Sequence, residues 1–150
     1  MDYRLASPGD AEQLFALNAE FNGPEETDLP QIRAALEDNP GEVVVVADDD
    51  GVLAGFLCVQ LKKSFCYRDY QPEVTEVYVR EEYRRQGVAS GMMAFAEKHC
   101  REHYPLHRFD LLTGRKNLGA QAFYAACGYQ GDGHVHMRKS IQQEGNHGAF

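Results

Sequence analysis

The sequence predicts an α/β fold, a mixed sheet of about six to seven strands with helices on both faces in the order βααβββαβαβ. Three observations predict it. Short runs rich in Val and aromatic residues alternate or stay apolar throughout. Between them stand longer segments whose apolar residues recur three and four apart. Clusters of Gly, Pro, Asn and Asp separate the two kinds.

Residues 3–6 read as a first strand. Ser7-Pro8-Gly9-Asp10 starts a helix, with Ser or Asp as cap and Pro early. Leu14, Phe15, Leu17, Ala19 and Phe21 form its apolar face until Asn22-Gly23-Pro24 ends it. After the acidic turn Glu25-Glu26-Thr27-Asp28, the spacing of Leu29, Ile32 and Leu36 predicts a second helix over 28–38. Four valines at 43–46 begin a buried strand, Asp48-Asp49-Asp50-Gly51 makes a hairpin turn, and 52–62 return as the longest strand. An aromatic loop (64–72) leads to a fourth strand at 73–80. A helix follows over 87–103, then a strand at 109–113 and a helix from 117 to 127 closed by Gly128. The alternation at 135–141 predicts a last strand, with 142–150 a frayed tail.

Composition bounds the function. At 150 residues with 43% apolar and 25% charged residues, the chain has the make-up of one soluble domain. The opening Met1-Asp2-Tyr3-Arg4 lacks the pattern of a signal peptide, and no apolar run approaches a membrane span, so a cytoplasmic protein without a membrane partner is expected. Its four cysteines are widely spaced, which favours free thiols over disulfides or a zinc site. Residues 1–75 hold 15 acids and 5 bases, residues 76–150 hold 8 acids and 10 bases, and net charge passes from −10 to +2. A pI near 5.2 without a basic stripe argues against nucleic acid.

The richest segment is 76–91, E-V-Y-V-R-E-E-Y-R-R-Q-G-V-A-S-G. A strand runs into Arg84-Arg85-Gln86-Gly87-Val88-Ala89, where a helix begins. Free N–H groups at a helix start, the helix dipole and forked arginine donors suit a phosphorylated ligand. Neither G-x-x-x-x-G-K-[ST] nor G-x-G-x-x-G occurs, so two familiar phosphate loops are set aside. What stands is R-x-x-G-x-A between strand and helix. It resembles the acetyl-CoA signature Q/R-x-x-G-x-G/A of GNAT-type N-acyltransferases. About 30 residues on, N-L-G-A-Q-A-F-Y-A-A-C-G-Y at 117–129 resembles their later motif N-x-x-A-x-x-F/L-Y-x-x-x-G-F/Y. The likeness extends over 3–141, which reads as a GNAT-like domain spanning 1–141.

The resemblance implies acetyl-CoA as acyl donor, and no metal is expected because no ligand set is completed around the histidines. It implies that Gln86, Gly87, Val88, Ala89 and Ser90 cradle the pyrophosphate, flanked by Arg84 and Arg85. The pantetheine arm would pair beside Val77 and Val79, an N–H near Val77 would polarise the thioester carbonyl, and Asn117 would bond the arm. Tyr124 would face the sulfur as proton donor; the opposing reading is a core aromatic beside Phe123. Where many members have Gly, this chain has Ala89, which the signature allows.

Direct transfer needs a base for the attacking amine. Glu76 is favoured and Glu73 is the alternative, with bulk water a third. A regular strand puts these two on opposite faces, but members of the family usually carry a bulge here that would turn both to one side. The acceptor pocket would be lined by Phe21, Glu25, Glu26 and Asp28, with Phe65, Tyr67, Asp69 and Tyr70 from the aromatic loop. Carboxylates among aromatics suit a small cationic amine, aminoglycoside-like, polyamine-like or amino-acid-derived. The opposing reading is an acidic solvated surface. Two other functions stay open: a protein or peptide N-acetyltransferase, and a CoA-sensing module without turnover. Dimers are common in the family, which leaves room for a homodimer.

Three features invite overreading. His99, His103 and His107 recur every four residues, but Pro105 should end the helix first. Cys66 and Cys127 lack a neighbouring histidine base, and His134 or His136 reaching the cleft has little behind it.

Overall fold

A computed structural model describes residues 1–142. They form two compact units, 1–117 and the segment from Leu118 onward. The first unit holds β1 (Asp2–Leu5), α1 (Ala11–Asn22), α2 (Leu29–Glu37), β2 (Glu42–Asp49), β3 (Val52–Lys62), β4 (Gln71–Val79), α3 (Val88–His103) and β5 (Asp110–Leu111). Its sheet has five strands in spatial order β1-β2-β3-β4-β5. The first four are antiparallel, and β5 joins β4 in parallel, so the sheet is mixed as expected.

The four-valine run stays apolar because both faces of the sheet are covered. Val44 and Val46 face a cluster of Leu14 and Leu17 from α1 with Leu53, Phe56 and Cys58 from β3. On the other side Val43 pairs with Val59 and Val45 with Leu57, beneath α3, whose Val88, Met92, Met93, Ala96 and Cys100 are buried. Burying each large aliphatic side chain contributes about 1.5–3 kcal/mol. Arg4 on β1 fixes the start of α1 by forking onto Asp10 at 2.8 and 2.9 Å, while its Nε donates to Asp48 at 3.1 Å. The Arg4 guanidinium holds the Asp10 carboxyl below the usual range.

Two bulges set the registers. The hairpin turns through Asp50 (φ 52°) and Gly51 (φ 96°), both left-handed as a tight two-residue loop requires. Asp48 faces Leu53, yet Ala47 faces Gly55, so Ala54 is an extra residue on β3. On β4, Glu76 faces Cys58 and Val74 faces Val59, which makes Thr75 the extra residue there. Gly55 sits where β3 and β4 approach closely, and a Cβ there would overlap the Tyr78 carbonyl oxygen.

The second unit contains α4 (Leu118–Ala126). Gly128 (φ 98°) ends it in a Schellman arrangement: its N–H reaches Ala125 O at 3.0 Å and the Tyr129 N–H reaches Tyr124 O at 3.0 Å. The expected strand at 135–141 is absent. Those residues carry no regular structure, and Val135, Met137 and Ile141 are exposed. Apolar alternation makes a strand only when a neighbouring ladder takes its N–H and C=O groups, and none pairs here. The strand at 109–113 shrinks to two residues, and the sheet has five strands rather than six or seven. Of the expected tail, residues 143–150 lie outside the described residues. No described helix is long and apolar enough to cross a membrane.

Candidate active site

The Thr75 bulge has the largest local consequence. Glu76 faces Cys58 and Glu73 faces Gln60, and Cys58 and Gln60 point to one side of β3, so both glutamates emerge on the α1-facing side of the sheet. They differ in what they touch. Glu73 is ion-paired to Lys62 Nζ at 3.2 Å. Glu76, half-buried, has neither hydrogen bond nor ion pair among the described residues. Two residues along the same face, Tyr78 stacks on Phe21 (centroids 5.0 Å, 23°) and lies 6.1 Å from Phe56. Phe21, at the end of α1, remains 40% exposed and gives the face an aromatic edge.

β5 pairs with β4 only at Glu73 and Val74. From Thr75 to Val79, the stretch that includes Val77, β4 therefore has β3 on one edge and no strand on the other among the described residues. An edge of this kind offers N–H and C=O groups to an extended ligand.

Beyond β4 the chain makes one 3₁₀ turn (Glu81–Tyr83) and enters the turn before α3. Arg85 (φ 63°) and Gly87 (φ 77°) are left-handed, and Gly87 is the N-cap of α3. The left-handed cap releases the N–H groups of Val88, Ala89 and Ser90 at the helix start, where they have no intrahelical acceptors. Gln86 folds back, its Nε2 donating to Glu82 O at 3.1 Å. Arg84 also turns back: its Nε donates to Val79 O at 2.9 Å and its guanidinium lies 5.8 Å from the Tyr78 ring centre. Arg85 is exposed beside the turn.

In the first unit Asn117 is exposed, its N–H bonded to Gly114 O at 3.0 Å. In the second, Tyr124 is half-buried on α4, with Phe123 and Tyr129 rings at 5.2 and 6.3 Å. Burial, and then the neighbouring Cys127, push its phenol above the ordinary value, so it keeps its proton at neutral pH.

The acceptor-side candidates are spread more thinly. Glu25 and Glu26 are exposed in the α1–α2 turn. Asp28 caps α2, accepting from the Gln31 N–H at 2.9 Å. Tyr67 is 58% exposed, and Asp69 is held by His107 Nδ1 at 2.9 Å. His99 and His103 stack on α3 with centroids 4.2 Å apart, so the histidine series divides between two places.

Sequence reasoning missed a group on the same sheet face. Glu42 Oε2 accepts from Gln60 Nε2 at 2.7 Å, and Cys58 lies diagonally across the ladder from Glu42. Burial, followed by Glu42 and Glu76, pushes the Cys58 thiol well above its usual range. Counting back from the hairpin turn without the Ala54 bulge would put Glu42 opposite Val59, on the wrong side. No sequence signal marked that bulge.

The mixed sheet, with its fourth strand bulged, unpaired on one edge among the described residues and followed by a left-handed turn into a helix, agrees with the fold that the sequence resemblance implies. The chain belongs to the acetyltransferase (GNAT) family, whose model matches residues 11–129. It is similar to the aminoglycoside acetyltransferase meta-AAC0020 from an uncultured soil metagenomic sample, solved in complex with trehalose, at 14% identity and a TM-score of 0.81, covering 94% of this chain and 96% of that one. It is also similar to AAC(6')-Iy in complex with a bisubstrate analog (18% identity, TM-score 0.79, covering 94% and 98%). A third likeness is to a ribosomal-protein-alanine N-acetyltransferase from Brucella melitensis biovar Abortus 2308 (19% identity, TM-score 0.77, covering 93% and 98%). At these identities the likenesses speak for the fold. No curated protein matches the chain.

Proposed function

We propose that the chain is an N-acetyltransferase that moves an acetyl group from acetyl-CoA directly to a primary amine, with both substrates bound together. The observation that carries this reading is the bulged stretch of β4. One run of chain there combines an uncommitted carboxyl at Glu76, an unpaired strand edge and entry into the left-handed turn.

Acetyl-CoA supplies the activated acyl group. The N–H groups at Val88, Ala89 and Ser90, with Gly87 and Gln86 shaping the turn, bind the pyrophosphate, and Arg85 adds a charged donor. Arg84 steadies the turn from β4. The β4 edge at Val77 and Val79 pairs with the extended arm, an N–H near Val77 polarises the carbonyl, and Asn117 bonds the arm. Glu76 accepts the amine's proton. Glu73, held by Lys62, is the weaker candidate. Tyr124, protonated at neutral pH, delivers a proton to the departing sulfur.

The acceptor is a small cationic amine, aminoglycoside-like, polyamine-like or amino-acid-derived. Phe21 offers a cation–π surface, and Glu25, Glu26, Asp28, Tyr67 and Asp69 supply further acidic and aromatic groups. Two of the similar structures carry aminoglycoside ligands or names, which agrees with this class. A peptide N-terminus is the second reading, favoured by the exposed acidic turn, which a basic peptide could also cross. Thiol release from acetyl-CoA, followed over a panel of amines and basic peptides at two salt concentrations, tests the proposal. Salt-sensitive turnover with small polyamines or aminoglycosides is expected. Donor binding without turnover on any acceptor would mark a sensing module, and a preference for neutral or acidic acceptors would overturn the cationic class.

A further inference from the structure

The turn before α3 takes a conformation that its own residues do not favour. Arg85 is left-handed without being glycine, a state that its Cβ disfavours and that a free chain seldom holds. A loop that must be ordered at binding costs affinity, so whatever holds 84–87 beforehand strengthens the grip on a ligand. Several bonds hold the turn to its own neighbours. Arg84 Nε reaches Val79 O, Gln86 Nε2 reaches Glu82 O, and the Tyr83 N–H reaches Arg80 O at 2.9 Å. Arg80, just before the turn, is paired with Glu20 of α1 at 3.6 Å, with no hydrogen bond at its Nε. One bond leaves the stretch altogether. The Tyr83 hydroxyl donates to Asp49 Oδ2, 2.8 Å away at the end of β2. Among the described residues it is the one hydrogen bond that joins 81–87 to an element other than β4 and α3.

The receiving end is itself fixed. Asp49 faces Val52 across the hairpin, and Asp48 Oδ1 closes the hairpin by accepting from the Gly51 N–H at 2.7 Å. Gln13 on α1 clips the same hairpin twice, donating to Gly51 O at 3.0 Å and accepting from the Leu53 N–H at 2.8 Å. Arg4 on β1 holds Asp48 as well. The hairpin is thus anchored to β1 and α1, and a bond to it gives the turn a fixed point outside its own stretch of chain. Tyr83 and Asp49 are both half-buried, and a hydroxyl bonded to a carboxylate makes a strong, directional link. The bond to Asp49 raises the Tyr83 phenol above its ordinary value, so it stays a donor at neutral pH.

We propose that Tyr83 and Asp49 are positioning residues for the acyl donor: their bond ties the turn at 84–87 to the β2–β3 hairpin and presets it for the pyrophosphate. The inference rests on acetyl-CoA binding at this turn, as proposed above. Both residues act through the turn and leave the acyl transfer itself to other groups.

The test compares two donors, acetyl-CoA and S-acetylpantetheine, which lacks the pyrophosphate. Tyr83→Phe removes the hydroxyl and keeps the ring. Asp49→Ala removes its acceptor, and Asp49→Asn keeps an acceptor oxygen. Tyr83→Phe and Asp49→Ala should each raise the KM and the calorimetric Kd for acetyl-CoA about three- to tenfold, with kcat and the amine KM unchanged. The kcat/KM for S-acetylpantetheine should not move. Asp49→Asn should restore most of the affinity, and the double variant of Tyr83→Phe with Asp49→Ala should bind no more weakly than either single one. Equal losses with both donors would assign the bond to the fold at large and overturn the proposal. So would additive losses in the double variant, or an unchanged acetyl-CoA Kd in folded Tyr83→Phe. If the wild-type chain binds no acetyl-CoA in the calorimeter, the donor reading itself fails and this inference falls with it.

Discussion

The β4–α3 turn and the α1–α2 turn both border the sheet face that carries Glu76, but they are built by different means. The first is shaped by backbone: a bulge at Thr75, left-handed residues at Arg85 and Gly87, and a helix start. The second is a display of side chains on an exposed loop, and one of them has local work. Asp28 caps α2, and in the aromatic loop before β4 Asp69 holds His107. Backbone groups can grip what all ligands of one class share, such as a diphosphate. Exposed side chains can change without disturbing the frame, which makes them suited to telling one amine from another.

If the backbone-built region carries the chemistry, the largest effect should come from its free carboxyl. Glu76→Gln should lower kcat roughly 100- to 10,000-fold with the melting temperature kept, whereas Glu73→Gln should cost about tenfold or less. Steady-state rates of the two variants decide between them, and equal losses would erase the distinction drawn from Lys62. Next comes the frame itself. Gly55→Val forces a branched side chain against the Tyr78 carbonyl and should cost about 3 kcal/mol in a denaturant titration. A stable variant would mean that β3 and β4 can part there freely.

Arg85→Ala should raise KM for acetyl-CoA roughly tenfold with kcat little changed, and the gap should narrow at high salt. Arg84→Ala should instead lower the melting temperature as well, because its Nε holds Val79 O. The smallest effect tests the side-chain region. Asp28→Ser keeps a helix cap but removes the charge, so amine KM should rise about threefold without loss of stability. Asp28→Ala should cost about 1 kcal/mol of stability in addition. An unchanged amine KM in both would assign Asp28 to capping alone.

The contrast also explains what could be read in advance. Strand β3 and the long helices α1 and α3 follow from periodicity, because each buries a continuous apolar face. The turn at 84–89 was legible because a left-handed cap demands Gly87, and few residues substitute there. The last strand misled, since Val135 to Ile141 alternate correctly but find no ladder. The Glu42–Gln60 contact was hidden for a different reason. It depends on a one-residue offset at Ala54, and such an offset exchanges the faces of everything beyond it. Even the bulge at Thr75 could be expected only from the family resemblance and not from the residues around it.

The short β5 has a consequence for handling the protein. An edge that no strand covers from Thr75 to Val79 among the described residues is open to any extended chain, including the same strand of a second molecule. Val77 and Val79 give that edge no charge to repel a stray partner. A donor arm seated on the edge would close it, so acetyl-CoA should slow turbidity on concentration or mild heating as well as serving the reaction.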